Sequence, residues 1–289
     1  NQWMGRMRGS ANRVRQTASR LVRNALLKGG FEIRRTRPAP EMPGTSLRSA
    51  GLVVELMGPS GVGKTRTLRG MEAVLQERWF LQEDIHHFLD RAYLAGPERQ
   101  EFYERLLHRR LTETFAQPRH LAERSRRAAY LLSVVNAELA MVAGDYPKGF
   151  FVHDGLCHNF GSTLLEMLRV KDAMAEELVR SRSYVFLLAQ EAETVVRNIL
   201  RRREETPGFR TNNFPTLSPA DLERMSRHTD RVVRELANRF EDLSANVLVL
   251  SAEDGWERNR DRILRFEQEI LAKATGRGPA AGIRRLSAA

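Results

Sequence analysis

A chain in which Leu52-Val53-Val54-Glu55-Leu56-Met57 runs into Gly58-Pro59-Ser60-Gly61-Val62-Gly63-Lys64-Thr65 has few folds open to it. The first stretch has the length and apolar character of a buried strand. The second satisfies G-x-x-x-x-G-K-[ST] through Gly58, Gly63, Lys64 and Thr65, the spacing of a phosphate-binding loop. Glycine accepts positive φ, so successive backbone N–H groups can converge on one anion. A helix starting at the loop's end aims its unpaired amides at the same point. Lys64 would then reach the β- and γ-phosphates of a nucleotide, and the Thr65 hydroxyl would ligate Mg²⁺. Pro59, Ser60, Gly61 and Val62 complete the loop, and Arg66 follows as a further nucleotide contact. Leu68, Met71, Val74 and Leu75 recur at helical spacing, which predicts one helix with a buried face.

The net charge of +11 suggests a nucleic-acid partner until it is divided. Residues 1–50 hold 11 Lys/Arg against two acids, and residues 271–289 hold four basic residues and no acid. Removing these from the totals of 47 basic and 36 acidic residues leaves 32 and 34 for the core, which is nearly neutral. The basicity belongs to the ends, so no nucleic-acid partner is expected for the core. The single cysteine, Cys157, rules out an internal disulfide and suits a reducing, cytoplasmic location. Tyr130–Ala143 is apolar but too short for a membrane span and carries Glu138, so it reads as a core helix.

The organisation expected is a basic extension over 1–50, a nucleotide-binding domain over 51–272 and a flexible basic tail over 273–289. In the extension, Val14, Ala18, Leu21, Val22, Ala25 and Leu26 share a helical face among arginines. Two readings of that face stay open. It lies on an anionic membrane or serves as a transit sequence, or it packs against the core or a protein partner. A Pro-rich linker over 37–50 follows.

Beyond the first helix, Trp79-Phe80-Leu81-Gln82-Glu83-Asp84 reads as a short strand ending in adjacent carboxylates. An acid at the carboxyl end of a parallel strand can take the proton of an attacking hydroxyl. The alternative is that Glu83 and Asp84 cap the next helix. Residues 97–143 read as a helical insert longer than a crossover needs, able to cover an acceptor. Phe150-Phe151-Val152-His153-Asp154 is a strand ending in an acid that could hold Mg²⁺. His153, Asp154, Cys157 and His158 match none of the usual zinc spacings. After the strand at Tyr184–Ala189, a helix places Arg197 and Arg201 four residues apart on one face, where they can clamp a phosphoryl group. With the loop to residue 219 they form an expected lid over 197–219; the alternative is a solvated helix and a plain surface loop. Val247–Leu250 is the last strand, and Ala252 in the following loop is placed at the base.

This order of parts resembles the P-loop kinases of the nucleoside and nucleotide kinase group, thymidylate kinase and the deoxynucleoside kinases being nearest. The resemblance covers about 51–272, with its specific motif at Gly58–Thr65. It implies a three-layer α/β sandwich, a P-loop NTPase with a five-stranded parallel sheet flanked by helices. It implies ATP and Mg²⁺ as cofactors, Lys64 and Thr65 on the phosphates and metal, and Asp154 at the acidic motif after the third strand. Glu83 or Asp84 would be the proton acceptor, and Arg197 and Arg201 the lid arginines. Asp154 is followed by Gly155 and Leu156 where that family has arginine, and the loop's wording is also similar to that of guanylate kinase. The activity expected is transfer of the γ-phosphoryl group of ATP to a nucleoside, nucleotide or sugar. The alternative is a nucleotide-binding regulator recruited to a membrane or partner by its N-terminal helix. N-K-x-D and L-S-G-G-Q are both missing from the sequence, against a GTPase or an ABC-type version.

Overall fold

The computed structural model describes residues 52–116, 120–205 and 218–274. The expectations for the N-terminal extension, the distal part of the lid and the tail beyond Ala274 lie outside these residues. Five strands, β1 (Val53–Met57), β2 (Trp79–Leu81), β3 (Gly149–Val152), β4 (Ser183–Leu188) and β5 (Asn246–Ser251), form one all-parallel sheet in the order β2-β3-β1-β4-β5. Strands β1 to β4 are buried along their whole length, as expected of a parallel sheet covered on both faces. Register pairs Val54 with Phe151 on one side of β1 and with Ser183 on the other.

Alternation along the strands divides the core in two. Val54, Leu56, Val185 and Leu187 face α1 (Lys64–Arg69), α2 (Glu72–Gln76), α7 (Ala192–Glu205) and α9 (Trp256–Ala274), meeting Leu75, Val195, Ile199 and Ile263. Met57, Tyr184 and Phe186 face α3 (Pro97–Ala116), α4 (Leu121–Ala143), α5 (Leu156–Arg169), α6 (Ala173–Arg180) and α8 (Pro219–Asp242). Over β2 and β3 the second face is closed by a 3-10 segment, Gln82–Leu94, through Ile85 and Phe88. The helical insert corresponds to α3 and α4. Among the described residues no helix is long and apolar enough to cross a membrane.

Two local expectations are corrected. The single helix after the loop is broken into α1 and α2 at Gly70. A Cβ there would lie 2.4 Å from the Trp256 ring, so the close approach of α9 sets the break; Val74 is left exposed. The acids after β2 are not at a strand's end but in the first turn of the 3-10 segment.

Candidate functional site

The chain leaves β1 toward β2 on one side of the sheet and leaves β4 toward β5 on the other. The carboxyl ends of β1 and β4 therefore flank a switch point, where open α/β sheets form their ligand crevice. The loop Gly58–Gly63 emerges there. Gly58 has φ +151 and packs so closely on β4 that a Cβ would lie 2.4 Å from the Leu187 carbonyl oxygen. Gly61, at φ +87, is pressed against α7, where a Cβ would meet Ile199 at 2.7 Å and the Val195 carbonyl oxygen at 3.0 Å. Side-chain-bearing residues resist both the angle and the space. The Asn198 amide donates to the Gly61 carbonyl at 3.2 Å, fixing the loop's tip to α7.

Lys64, at the end of this loop, is a buried charged group. Its ammonium folds back and donates to the carbonyls of Gly58 at 2.7 Å and Pro59 at 3.4 Å. Burial pushes its pKa down, and the negative charge of Asp154 pushes it up, so the two side chains sense one another. Thr65 and Arg66 are exposed at the start of α1, and no side chain caps that helix. Ala252 lies in the turn after β5, and Glu253 in the same turn accepts from the backbone N–H of Gln190 at 2.9 Å. The turn is thereby tied to the exit of β4.

Asp154 follows β3. Gln82 Oε1 accepts from the backbone N–H groups of His153 and Asp154, both at 3.0 Å, and so shapes that turn. The carboxylate sits between two imidazoles, with His153 Nε2 and His158 Nε2 each 3.6 Å from a different oxygen. Burial first, then the charge of Lys64, holds His158 well below the usual histidine pKa, so it is neutral at physiological pH. No group of three or more His, Cys, Asp or Glu among the described residues is arranged to hold a metal.

Beside Asp154 a cavity of about 190 Å³ opens between the 3-10 segment, α4 and the end of β3. Its polar lining comes from Gln82, His86, Tyr130, Ser133, Glu138 and Asp154. Neither Glu83 nor Asp84 lines it. Asp84 is buried and accepts from the Leu81 backbone N–H at 2.8 Å, the capping arrangement, while Glu83 is exposed. On α7, Arg197 is exposed and makes no ion pair among the described residues; Arg201 faces solvent 3.7 Å from Glu205.

Beneath the cavity lies a buried polar network that sequence reading did not find. The Glu138 carboxylate pairs with Arg182 at 2.5 Å, with Tyr103 bonded to both. Glu55, wholly buried on β1, accepts from the backbone N–H groups of Cys157 at 3.2 Å and His158 at 2.9 Å. It thus caps α5 from the neighbouring strand. A glutamate inside an otherwise apolar strand was the available signal for Glu55. The Cys157 thiol, buried beside this network, is pushed well above its ordinary pKa by burial and by Glu55. No protein-family model matches the chain, and no curated protein matches it.

Proposed function

We propose that the protein is a phosphotransferase that moves the γ-phosphoryl group of ATP to a small acceptor held in the cavity beside Asp154. The observation that carries this reading is Lys64. Its ammonium is withdrawn from water, lies against the carbonyls of a glycine-rich loop at the sheet's switch point, and feels the charge of Asp154. A nucleotide's terminal phosphates arriving at this loop would offer the ammonium stronger, charge-assisted partners than two neutral carbonyls. The fixed loop backbone at Gly58 and Gly61 allows phosphates to approach without a side chain intervening. Thr65 and Asp154 are the residues that would hold a magnesium ion, whose positive charge would offset the charge developing on the phosphates.

Phosphoryl transfer leaves the protein mainly positioning and electrostatics to supply. The loop and Lys64 would fix the donor, and the cavity would fix the acceptor hydroxyl at the same end of the sheet. Arg197, exposed on α7, would meet the phosphates, with Arg201, also exposed, one turn behind it. Asp84 is reassigned in this reading to holding the entry of the 3-10 segment. Glu83 keeps the proton-acceptor role only if closure of the insert brings it to the hydroxyl.

Incubation with ATP, Mg²⁺ and a panel of hydroxyl acceptors should yield a phosphorylated product, and Lys64→Ala should abolish it. Slow ATP hydrolysis with transfer to no acceptor would count against the reading.

A further inference from the structure

We infer that the cavity between the 3-10 segment, α4 and the end of β3 selects an uncharged or cationic alcohol with an apolar body about one ring in size. Acceptors that already carry a phosphate or carboxylate are turned away. The inference rests on the phosphotransferase reading and narrows its acceptor class.

Size is the first ground. An apolar cavity of about 150 Å³ takes benzene, so about 190 Å³ holds one ring and a short hydroxyl-bearing arm. Ile85, Leu89, Val134, Ala137, Met141 and Val152 supply the apolar wall for such a body.

Charge is the second. Two carboxylates, Glu138 and Asp154, line the cavity, and apart from His86 no basic side chain does. The cations nearby are engaged elsewhere. Arg182 is paired with Glu138, Arg127 lies over the Tyr130 ring with its guanidinium carbon 5.3 Å from the centroid, and Lys64 lies in the glycine loop. An anion in the cavity would face two carboxylates and no lining guanidinium or ammonium, the arrangement that rejects a charged competitor.

The third ground is an open acceptor. Glu138 is 1% exposed, and its Oε1 meets no hydrogen-bond donor among the described residues, although Oε2 takes Arg182. Buried carboxylate oxygens are rarely left so. A hydroxyl or ammonium hydrogen supplies the missing donor, whereas a phosphate dianion brings none.

The test uses the full chain at about pH 8, where an ordinary imidazole is neutral, with Mg²⁺ and a non-hydrolysable ATP analogue. Calorimetry and thermal shift compare benzyl alcohol and 4-(hydroxymethyl)benzylamine with benzyl phosphate. At least one alcohol should bind, and its phosphate should bind about tenfold more weakly or worse. Ala137→Leu, which fills the wall, should weaken the alcohol by a similar factor; Ser133→Arg, which adds a cation to the lining, should narrow the gap. A phosphate that binds as well as its alcohol overturns the inference. So does a panel in which no alcohol binds, or an Ala137→Leu protein that binds the alcohol unchanged. These readouts need no turnover. Alcohol binding without ATP-dependent transfer would sink the phosphotransferase reading alone, and transfer to benzyl phosphate would sink the selectivity alone.

Discussion

At the middle of β1, Glu55 points to the face on which α5 begins, and its carboxylate meets the first amides of that helix. Burial raises its pKa to about 7, and the charge of Glu138 adds to this, while Arg182 and the two amides act the other way. Below about pH 4.5 the group is protonated in both folded and unfolded chains, and its favourable contribution is complete. As pH rises from there to about 7 the unfolded chain releases a proton that the folded one keeps, so stability falls; above about 7 the loss, on the order of 3 kcal/mol, is complete. Glu55→Gln removes this titration while keeping one oxygen for an amide. Urea unfolding should therefore show wild type losing ground to Glu55→Gln between pH 5 and pH 8, and a constant difference would refute the assignment. Gly58 makes a prediction of another kind. Its close approach to Leu187 means that Gly58→Ala must push β1 from β4 or bend the loop. It should cost roughly 1–3 kcal/mol and weaken ATP binding together, whereas a loss of binding at full stability would mean that the glycine serves only the ligand.

Elements differ in how much of them could be read from the chain. The strands were legible because each is an apolar run, buried along its whole length in β1 to β4, and the insert was legible because α3 and α4 carry apolar stripes. The break at Gly70 was not, since its cause, Trp256, lies 186 positions away along the chain. Nor were α5 and α6 named, as no motif of theirs drew attention. At Gly70 the backbone is ordinary, φ −69 and ψ −14, so alanine is disfavoured there by the Trp256 ring alone. Gly70→Ala should destabilise by roughly 1–3 kcal/mol. In a Trp256→Ala background the sign should reverse, because alanine restricts the unfolded chain more than glycine; equal costs in both backgrounds would mean that the ring is not responsible. The Asn198 contact with Gly61 was equally hidden, an asparagine among arginines on α7. Asn198→Ala should raise the KM for ATP roughly three- to tenfold with little change in Tm, the size of one hydrogen bond.

Across the molecule, the insert and the sheet are joined by a charge pair that neither half could satisfy alone. Glu138 comes from α4, Tyr103 from α3, and Arg182 from the residue just before β4; both charged groups are almost fully buried. Sequence reading found Glu138 in an apolar helix but could not find its partner, because a pair 44 residues apart leaves no periodic trace. Removing one member strands the other. Arg182→Met should cost about 3–5 kcal/mol, while Arg182→Met with Glu138→Met should recover most of that loss, since two apolar side chains can replace a buried pair. The same pair should also set the order in which the molecule opens. With Glu138 left uncompensated, the amides of α3 and α4 should exchange with solvent well before those of β1 and β4, whereas in wild type the two groups should exchange closer together. If Arg182→Met costs under about 1 kcal/mol, or both groups of amides lose protection equally, the pair does not couple the insert to the sheet. The floor of the cavity beside Asp154 would then be held by apolar packing alone, and any selection by charge under the proposed function would have to come from Asp154.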